Sequence, residues 1–291
     1  TFVIEEKFGF NNTTVKTFII DMFKGTALGL AIGVPLLYAI LWLMEQMGDM
    51  WWIYTWLLIS GFSVLMMWIY PTWIAPIFNK FEPLEEGDTL ARIKGLLERC
   101  GFSSDGVFVI DGSKRSSHGN AYFSGFGRNK RIVFYDTLLK MLSDDELEAV
   151  LAHELGHFKK KHIIKSILIS FATTLIGLGI LAWLMKNDWF YNALGVSITS
   201  TYMALLLFTM VSPVFTFALS PIMSLFSRKN EFEADAFAAE QTDAKYLIKA
   251  LVDLYKENAS TLTPDPMYSA FYDSHPPAPV RIAHLNSHAK I

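Results

Sequence analysis

The sequence predicts a mainly α-helical, multi-span membrane protein whose charged segments lie on one side of the bilayer. Three observations support this. Of the 291 residues, 52% are hydrophobic and only 18% charged, a more apolar balance than soluble domains show. The apolar residues gather into four long blocks, and the cationic residues fall almost entirely between them.

The blocks run from about Thr26 to Met44, Trp51 to Tyr70, Ile163 to Met185 and Val196 to Leu219. Each has roughly 19–24 residues, enough to cross ~30 Å of hydrocarbon as a helix. Pro35 and Pro213 lie inside two of them, which membrane helices tolerate because neighbours re-satisfy the freed backbone groups. Trp51, Trp52, Trp68, Trp73, Trp183 and Trp189 cluster near block ends, where an aromatic belt belongs. Core helices of a soluble protein are the competing explanation, but a soluble core rarely needs four such blocks.

Residues 1–25 hold three Lys/Arg, residues 71–162 thirteen and residues 226–291 seven, together 23 of the 25 in the chain. Four spans place all three charged segments on one side, and the positive-inside rule makes that side cytoplasmic. The expected organisation is a cytoplasmic segment over 1–25 and two transmembrane helices over 26–70. A first half-domain follows over 71–162, then a membrane hairpin over 163–225 and a second half-domain over 226–291. The chemistry is expected where the two halves meet. The chain begins at Thr1 and shows no signal peptide, so a natural N-terminal portion is expected to precede it. A net charge of −3 without a basic stripe argues against a nucleic-acid partner. The one cysteine, Cys100, rules out a disulfide framework and a Cys-rich metal site. A transition metal would have to use His and carboxylate ligands.

The stretch Ser143-Asp-Asp-Glu-Leu-Glu-Ala-Val-Leu-Ala-His153-Glu154-Leu-Gly-His157 is the strongest local signal. Ser143 and Glu146 read as a capping box. Asp144 and Asp145 suit the positive end of the helix dipole, and Leu147, Val150, Leu151 and Leu155 form an apolar stripe. On this helix His153 and His157 are one turn apart, so their imidazoles can share one ion. Zinc accepts such nitrogens at about 2.0–2.1 Å. Glu154, rotated about 100° from His153, can flank the metal and take a proton from the attacking water. Two surface histidines on an ordinary helix are the alternative.

A catalytic zinc needs a third protein ligand. The segment Ser227-Arg-Lys-Asn-Glu231-Phe-Glu233-Ala-Asp235 should continue the fourth block as helix. Glu231 and Asp235 share a face and Glu233 points away from it. One of the sharing pair can ligate zinc while the other hydrogen-bonds a ligating His; a solvated acidic face is the plainer reading.

These motifs, with Ser117-His-Gly-Asn-Ala-Tyr-Phe-Ser-Gly-Phe-Gly127, Ser274-His-Pro-Pro277 with Arg281, and the opening Thr1-Phe-Val-Ile-Glu-Glu-Lys-Phe-Gly-Phe10, resemble the CAAX prenyl protease family. These are integral-membrane zinc metallopeptidases of the a-factor-converting type. The resemblance covers essentially the whole chain, with the motifs in order. Family members have about seven transmembrane helices around an intramembrane chamber, so this chain would supply the last four as an N-terminally truncated member. The resemblance implies a zincin-like α+β protease domain with a small sheet. It assigns Glu231 as the third ligand beside His153 and His157, Asp235 as the residue orienting a ligand, and His275 and Arg281 as lining the site. The latter two could stabilise an oxyanion; from sequence alone His275 could equally be surface. Gly119-Asn120-Ala121-Tyr122 reads as an extended segment. In the family such a strand edge hydrogen-bonds the substrate backbone, with Asn120 as the polar contact. An ordinary loop before the strand Arg131–Tyr135 is the other reading, and Gly119, Gly125 and Gly127 suit both.

The expected function is therefore hydrolysis of peptide bonds by a zinc metalloendopeptidase with one Zn2+ per chain and Glu154 as general base. Its partners would be the lipid bilayer and a peptide or protein substrate, prenylated or not. The catalytic side would be cytoplasmic, at an inner membrane if bacterial or the endoplasmic reticulum membrane if eukaryotic. A bacterial membrane quality-control protease of the HtpX type shares His-Glu-x-x-His. A non-catalytic zinc-stabilised scaffold would show a fourth protein ligand, and a transporter would show ionisable residues at mid-membrane depth. The oligomeric state is open, and a monomer suffices for the site.

Overall fold

The computed structural model describes residues 1–124 and 130–288. Gly125 and Gly127 of the glycine-bearing motif lie outside the described residues. A single turn, α1 (Ile4–Lys7), precedes α2 (Val15–Gln46) and α3 (Trp51–Ile69), which runs on through a π-helical turn, Tyr70–Ile74, into α4 (Ala75–Phe78). Then come β1 (Phe81–Pro83), α5 (Asp88–Arg99), β2 (Gly106–Ile110), β3 (Ala121–Ser124), β4 (Arg131–Tyr135), α6 (Asp136–Met141) and α7 (Asp144–Lys159). The chain continues with α8 (His162–Leu184), α9 (Asp188–Ala193), α10 (Thr201–Gln241), α11 (Ala244–Glu257), α12 (Pro266–Tyr272) and α13 (Ala278–His288).

Four helical stretches, Val15–Gln46, Gly48–Phe78, His162–Leu184 and Thr201–Gln241, are long and apolar enough to cross a membrane. The chain is an integral membrane protein. Its helices outrun the apolar blocks for identifiable reasons. The first starts at Val15 instead of Thr26 because Phe18, Ile19, Ile20, Met22 and Phe23 extend the apolar surface through one more turn of helix and beyond. The second does not stop at Tyr70, because the wider π turn accommodates Pro71, whose ring clashes with the usual α-helical ladder. The fourth runs on to Gln241 but begins at Thr201, later than Val196, because Gly195 takes a left-handed φ of 76° and the Ser200 hydroxyl accepts the Met203 N–H at 3.3 Å to start the helix. Part of the connection between the third and fourth blocks is helical, as α9.

The chain divides into two compact units. One comprises Asp21–Met66 and Ile163–Ser220. Its buried cluster is Met44, Trp51, Leu178, Leu181, Phe190, Tyr191, Ala204 and Leu207, while many other large apolar side chains, among them Leu30, Tyr38, Leu168 and Phe215, are exposed. An aqueous solvent would penalise that surface; a bilayer does not. Trp56 donates its indole N–H to the Phe171 carbonyl at 2.8 Å, and Lys186 meets Asp49 at 2.6 Å, so the two short inter-helix connections lie together.

The other unit comprises Thr1–Ile20, Met67–His162 and Pro221–Ile291. Its sheet has the order β1-β2-β4-β3, with β2 and β4 parallel and both outer pairings antiparallel. Strand β3 is therefore an edge. Val107 of β2 and Ile132 and Phe134 of β4 are buried in a single cluster with Leu90, Ile93 and Leu96 of α5, Leu147, Leu151 and Leu155 of α7, and Leu247 and Leu251 of α11. Helix α7 thus enters the core along its apolar stripe, which fixes which way its histidines face. The capping box forms: the Ser143 N–H donates to the Glu146 carboxylate at 2.7 Å. Glu146 is almost fully buried and also pairs with Lys249 of α11.

Replacing Ser143 by Ala removes one half of this cap. The expected cost is about 1 kcal/mol, read as a fall of a few degrees in the thermal denaturation midpoint, with metal binding retained.

Candidate metal centre

Helix α7 presents His153 and His157 on one face, with ring centroids 4.8 Å apart and planes at 79°. Their Nε2 atoms are 3.2 Å apart. From α10, Glu231 brings Oε2 to 3.5 Å from His153 Nε2 and Oε1 to 3.3 Å from His157 Nε2. One donor atom from each of the three residues falls within 4.8 Å of the others. Donors held about 2.0–2.1 Å from a tetrahedral ion stand about 3.3 Å from one another, so the observed spacings are those of a shared cation. Glu231 is 3% exposed, and its Oε2 is buried without a hydrogen bond among the described residues. A buried carboxylate oxygen left this way is costly unless a cation serves it. The residues therefore fit a metal ion.

The close meeting of α7 and α10 has a local cause. A Cβ on Gly156 would stand 2.9 Å from the Ala234 Cα and 3.1 Å from its carbonyl oxygen. Gly156 and Ala234 are the two smallest residues between the metal-facing side chains on their helices. Their contact lets the backbones touch, so that a side chain as short as Glu231 spans the gap to both rings.

Behind the donors lies a buried charge network. Asp235, fully buried, accepts the His153 Nδ1–H with Oδ1 at 2.9 Å. Arg281 grips Asp235 with both arms of its fork, Nε to Oδ2 at 2.9 Å and Nη2 to Oδ1 at 2.5 Å, and sets Nη1 3.4 Å from Glu231 Oε2. Burial alone would lower the His153 pKa, but the adjacent Asp235 and Glu231 carboxylates outweigh that and carry it to about 9. So negative a pocket holds a proton where it would equally hold a divalent ion. Burial works against the Arg281 charge too, and its bonds to Asp235 keep it protonated.

The remaining sequence-derived residues are distributed unevenly. Glu154, half-buried, lines a cleft of about 140 Å³ together with His153, Gly119, Asn120, Ala121, His275 and Arg281. Val150, Leu247, Leu251 and Leu254 give it an apolar wall. His275 is 62% exposed, with Nε2 3.4 Å from Glu231 Oε1 and Nδ1 2.9 Å from the Ser274 hydroxyl. Asn120 pairs its carbonyl with the Tyr135 N–H at 2.9 Å, and its side-chain oxygen accepts the Ala121 N–H at 2.8 Å. Gly119 is packed against α6: a Cβ there would meet Leu138 Cδ1 at 3.1 Å. Tyr122 does not line the cleft. It alternates to the other face of β3 from Ala121, beside Tyr135, where burial pushes its pKa up to about 12.

Sequence reasoning left out the Gly156–Ala234 contact and the pair His162 and Glu233, which bond each other at 3.1 Å. Small residues inside both motifs were the available signal for the first. Nothing in the spacing of His162 and Glu233 announces the second.

A family model described as peptidase family M48 matches residues 83–289, and one described as CAAX prenyl protease N-terminal, five membrane helices, matches residues 1–80. CAAX prenyl protease 1 of Saccharomyces cerevisiae is 40% identical over 98% of this chain and 66% of its own length. A CAAX prenyl protease 1 homolog of Arabidopsis thaliana is 40% identical over 100% of this chain and 69% of its own. The crystal structure of S. mikatae Ste24p superposes with a TM-score of 0.91 at 41% identity, covering 98% of this chain and 70% of that one. This chain spans about two thirds of the length of the curated relatives it matches.

Replacing Gly156 by Ala should force α7 and α10 apart. The expected result is at least a tenfold loss of metal affinity in a chelator-competition titration, not rescued by Ala234→Gly, because the clash is with backbone atoms.

Proposed function

The chain belongs to the CAAX prenyl protease family of M48 membrane metallopeptidases, and on that premise we propose that it hydrolyses peptide bonds at the His153–His157–Glu231 centre with Glu154 as general base. The single observation that carries this is the convergence of those three donors within 4.8 Å beside the cleft that holds Glu154.

The donor set of two imidazoles and one carboxylate would suit a catalytic zinc. Zinc held there by His153, His157 and Glu231 would polarise the scissile carbonyl and acidify the attacking water. Glu154 takes the proton from that water and passes it to the leaving amine. Asp235 holds the His153 proton on Nδ1, so that Nε2 keeps its lone pair for the metal. With Nε and Nη2 bound to Asp235, Arg281 fixes that carboxylate. Both Arg281 and the exposed His275 line the cleft, which supports the oxyanion role expected of them from the sequence. Among the described residues no fourth side chain joins the donor group, which favours the catalytic over the scaffold reading.

Substrate would lie extended along β3, the sheet edge above the cleft, where backbone pairing gives affinity with little side-chain selection. Because Asn120 Oδ1 is occupied by Ala121, its side chain offers the Nδ2 donor to a substrate carbonyl. The relatives' names point to C-terminal processing of prenylated proteins. Tyr122 has no place in this scheme. The two sequence segments 71–162 and 226–291 would be the halves of one protease domain, on the cytoplasmic side by the positive-inside rule.

Glu154→Gln should lower turnover by at least 10²-fold while zinc stoichiometry stays at one per chain. Normal cleavage by this variant would overturn the mechanism. Peptides with and without a C-terminal prenyl group, assayed with and without a chelator, separate the substrate classes. A preference for the prenylated peptide supports the CAAX reading. Equal cleavage of both assigns a broader membrane protease.

A further inference from the structure

We propose that His162 and Glu233 form a second orienting arm for the metal centre, acting on His157 as Asp235 acts on His153. This rests on the metal reading of His153, His157 and Glu231.

The arm is a chain of three groups. His162 Nδ1 lies 3.1 Å from His157 Nδ1, and His162 Nε2 lies 3.1 Å from Glu233 Oε2. The two rings pack edge to face, centroids 5.1 Å apart at 75°. His162 is 3% exposed, so these contacts are not a loose surface encounter. Two Nδ1 atoms at hydrogen-bond distance need one donor and one acceptor. Nε2 of His157 faces His153 Nε2 and Glu231, so a metal there takes its lone pair and leaves the proton on Nδ1. His157 Nδ1–H then donates to His162 Nδ1. That fixes the His162 proton on Nε2, the atom that faces the Glu233 carboxylate. Each proton position along these three contacts follows from one choice, and in none of the three does a donor face a donor.

The chain makes a specific turn to build this arrangement. Helix α7 ends at Lys159, α8 begins at His162, and between them Lys161 adopts a left-handed φ of 59°. A residue with a side chain rarely takes that conformation. Here it folds His162 back beneath His157, five residues earlier. Glu233 sits on α10 between Glu231 and Asp235, on the side turned from them, and Lys229 Nζ lies 3.9 Å from its Oε1. The acidic residue that points away from the metal thus reaches it through two rings. Both ligand histidines have their outer nitrogen held: His153 directly by a carboxylate, His157 by an imidazole that a carboxylate holds in turn. Outer partners of this kind typically account for 10–100-fold in metal affinity.

The test uses the whole chain in detergent, stripped of metal. Zinc affinity is measured against a competing chelator, and the visible absorption of the cobalt form reports ligand geometry. His162→Phe and Glu233→Leu are each expected to weaken zinc at least tenfold and to shift the cobalt bands. Glu233→Gln keeps an acceptor and should stay within about threefold of the parent. Should His162→Phe fail to fold by circular dichroism, the partly exposed Glu233 pair decides alone. Parent-like zinc affinity and cobalt spectrum in Glu233→Leu would overturn the proposal while leaving the metal site intact. If the parent itself binds no zinc, the underlying metal reading falls, and that result is distinct from either.

Discussion

Two helices can share a small ion only if their backbones come close, and here a glycine and an alanine set the distance. Helix α7 carries two imidazoles, and α10 carries a carboxylate with only three rotatable side-chain bonds. At an ordinary separation of 8–10 Å between helix axes, side chains fill the gap and a glutamate is not free to meet two rings. With Gly156 against the backbone at Ala234, the gap closes at the level of the motif. The donor spacings near 3.3 Å, the reach of Asp235 to His153 and that of Glu233 to His162 all follow from it.

The electrostatics follow from the same packing. Glu231 and Asp235 are buried with one guanidinium between them, which leaves an excess negative charge away from water. Unpaired, such a charge is strongly unfavourable. The raised affinity of His153 for a proton is one expression of this; attraction for a divalent ion is the other. Arg281 is the counter-ion that allows Asp235 to remain buried and charged.

Much of this was legible in the sequence, for reasons that can be named. Helical spacing put His153 beside His157 and Glu231 beside Asp235, and the Ser143–Glu146 cap fixed where α7 starts. The span count needed only block length and composition. Other features were not legible because they depend on contacts between distant residues. Spacing could show that Glu233 leaves the Glu231 face but not that His162, 71 residues away, would meet it. The apolar run ended the second span near Tyr70, and nothing in its composition showed that a π turn would carry the helix on past Pro71. Tyr122 was grouped with Gly119–Ala121 because they are consecutive, although strand alternation turns it to the other face.

If substrate lies along β3 as proposed, that edge has a consequence for which proteins could be attacked at all. A four-residue edge has little to read except the shape of a stretched backbone. A segment already committed to a helix, or paired inside its own sheet, has no spare backbone groups to offer. Discrimination would then rest less on the letters of the target than on whether a stretch of it hangs loose, so folded neighbours would be spared by their own stability and frayed tails would not.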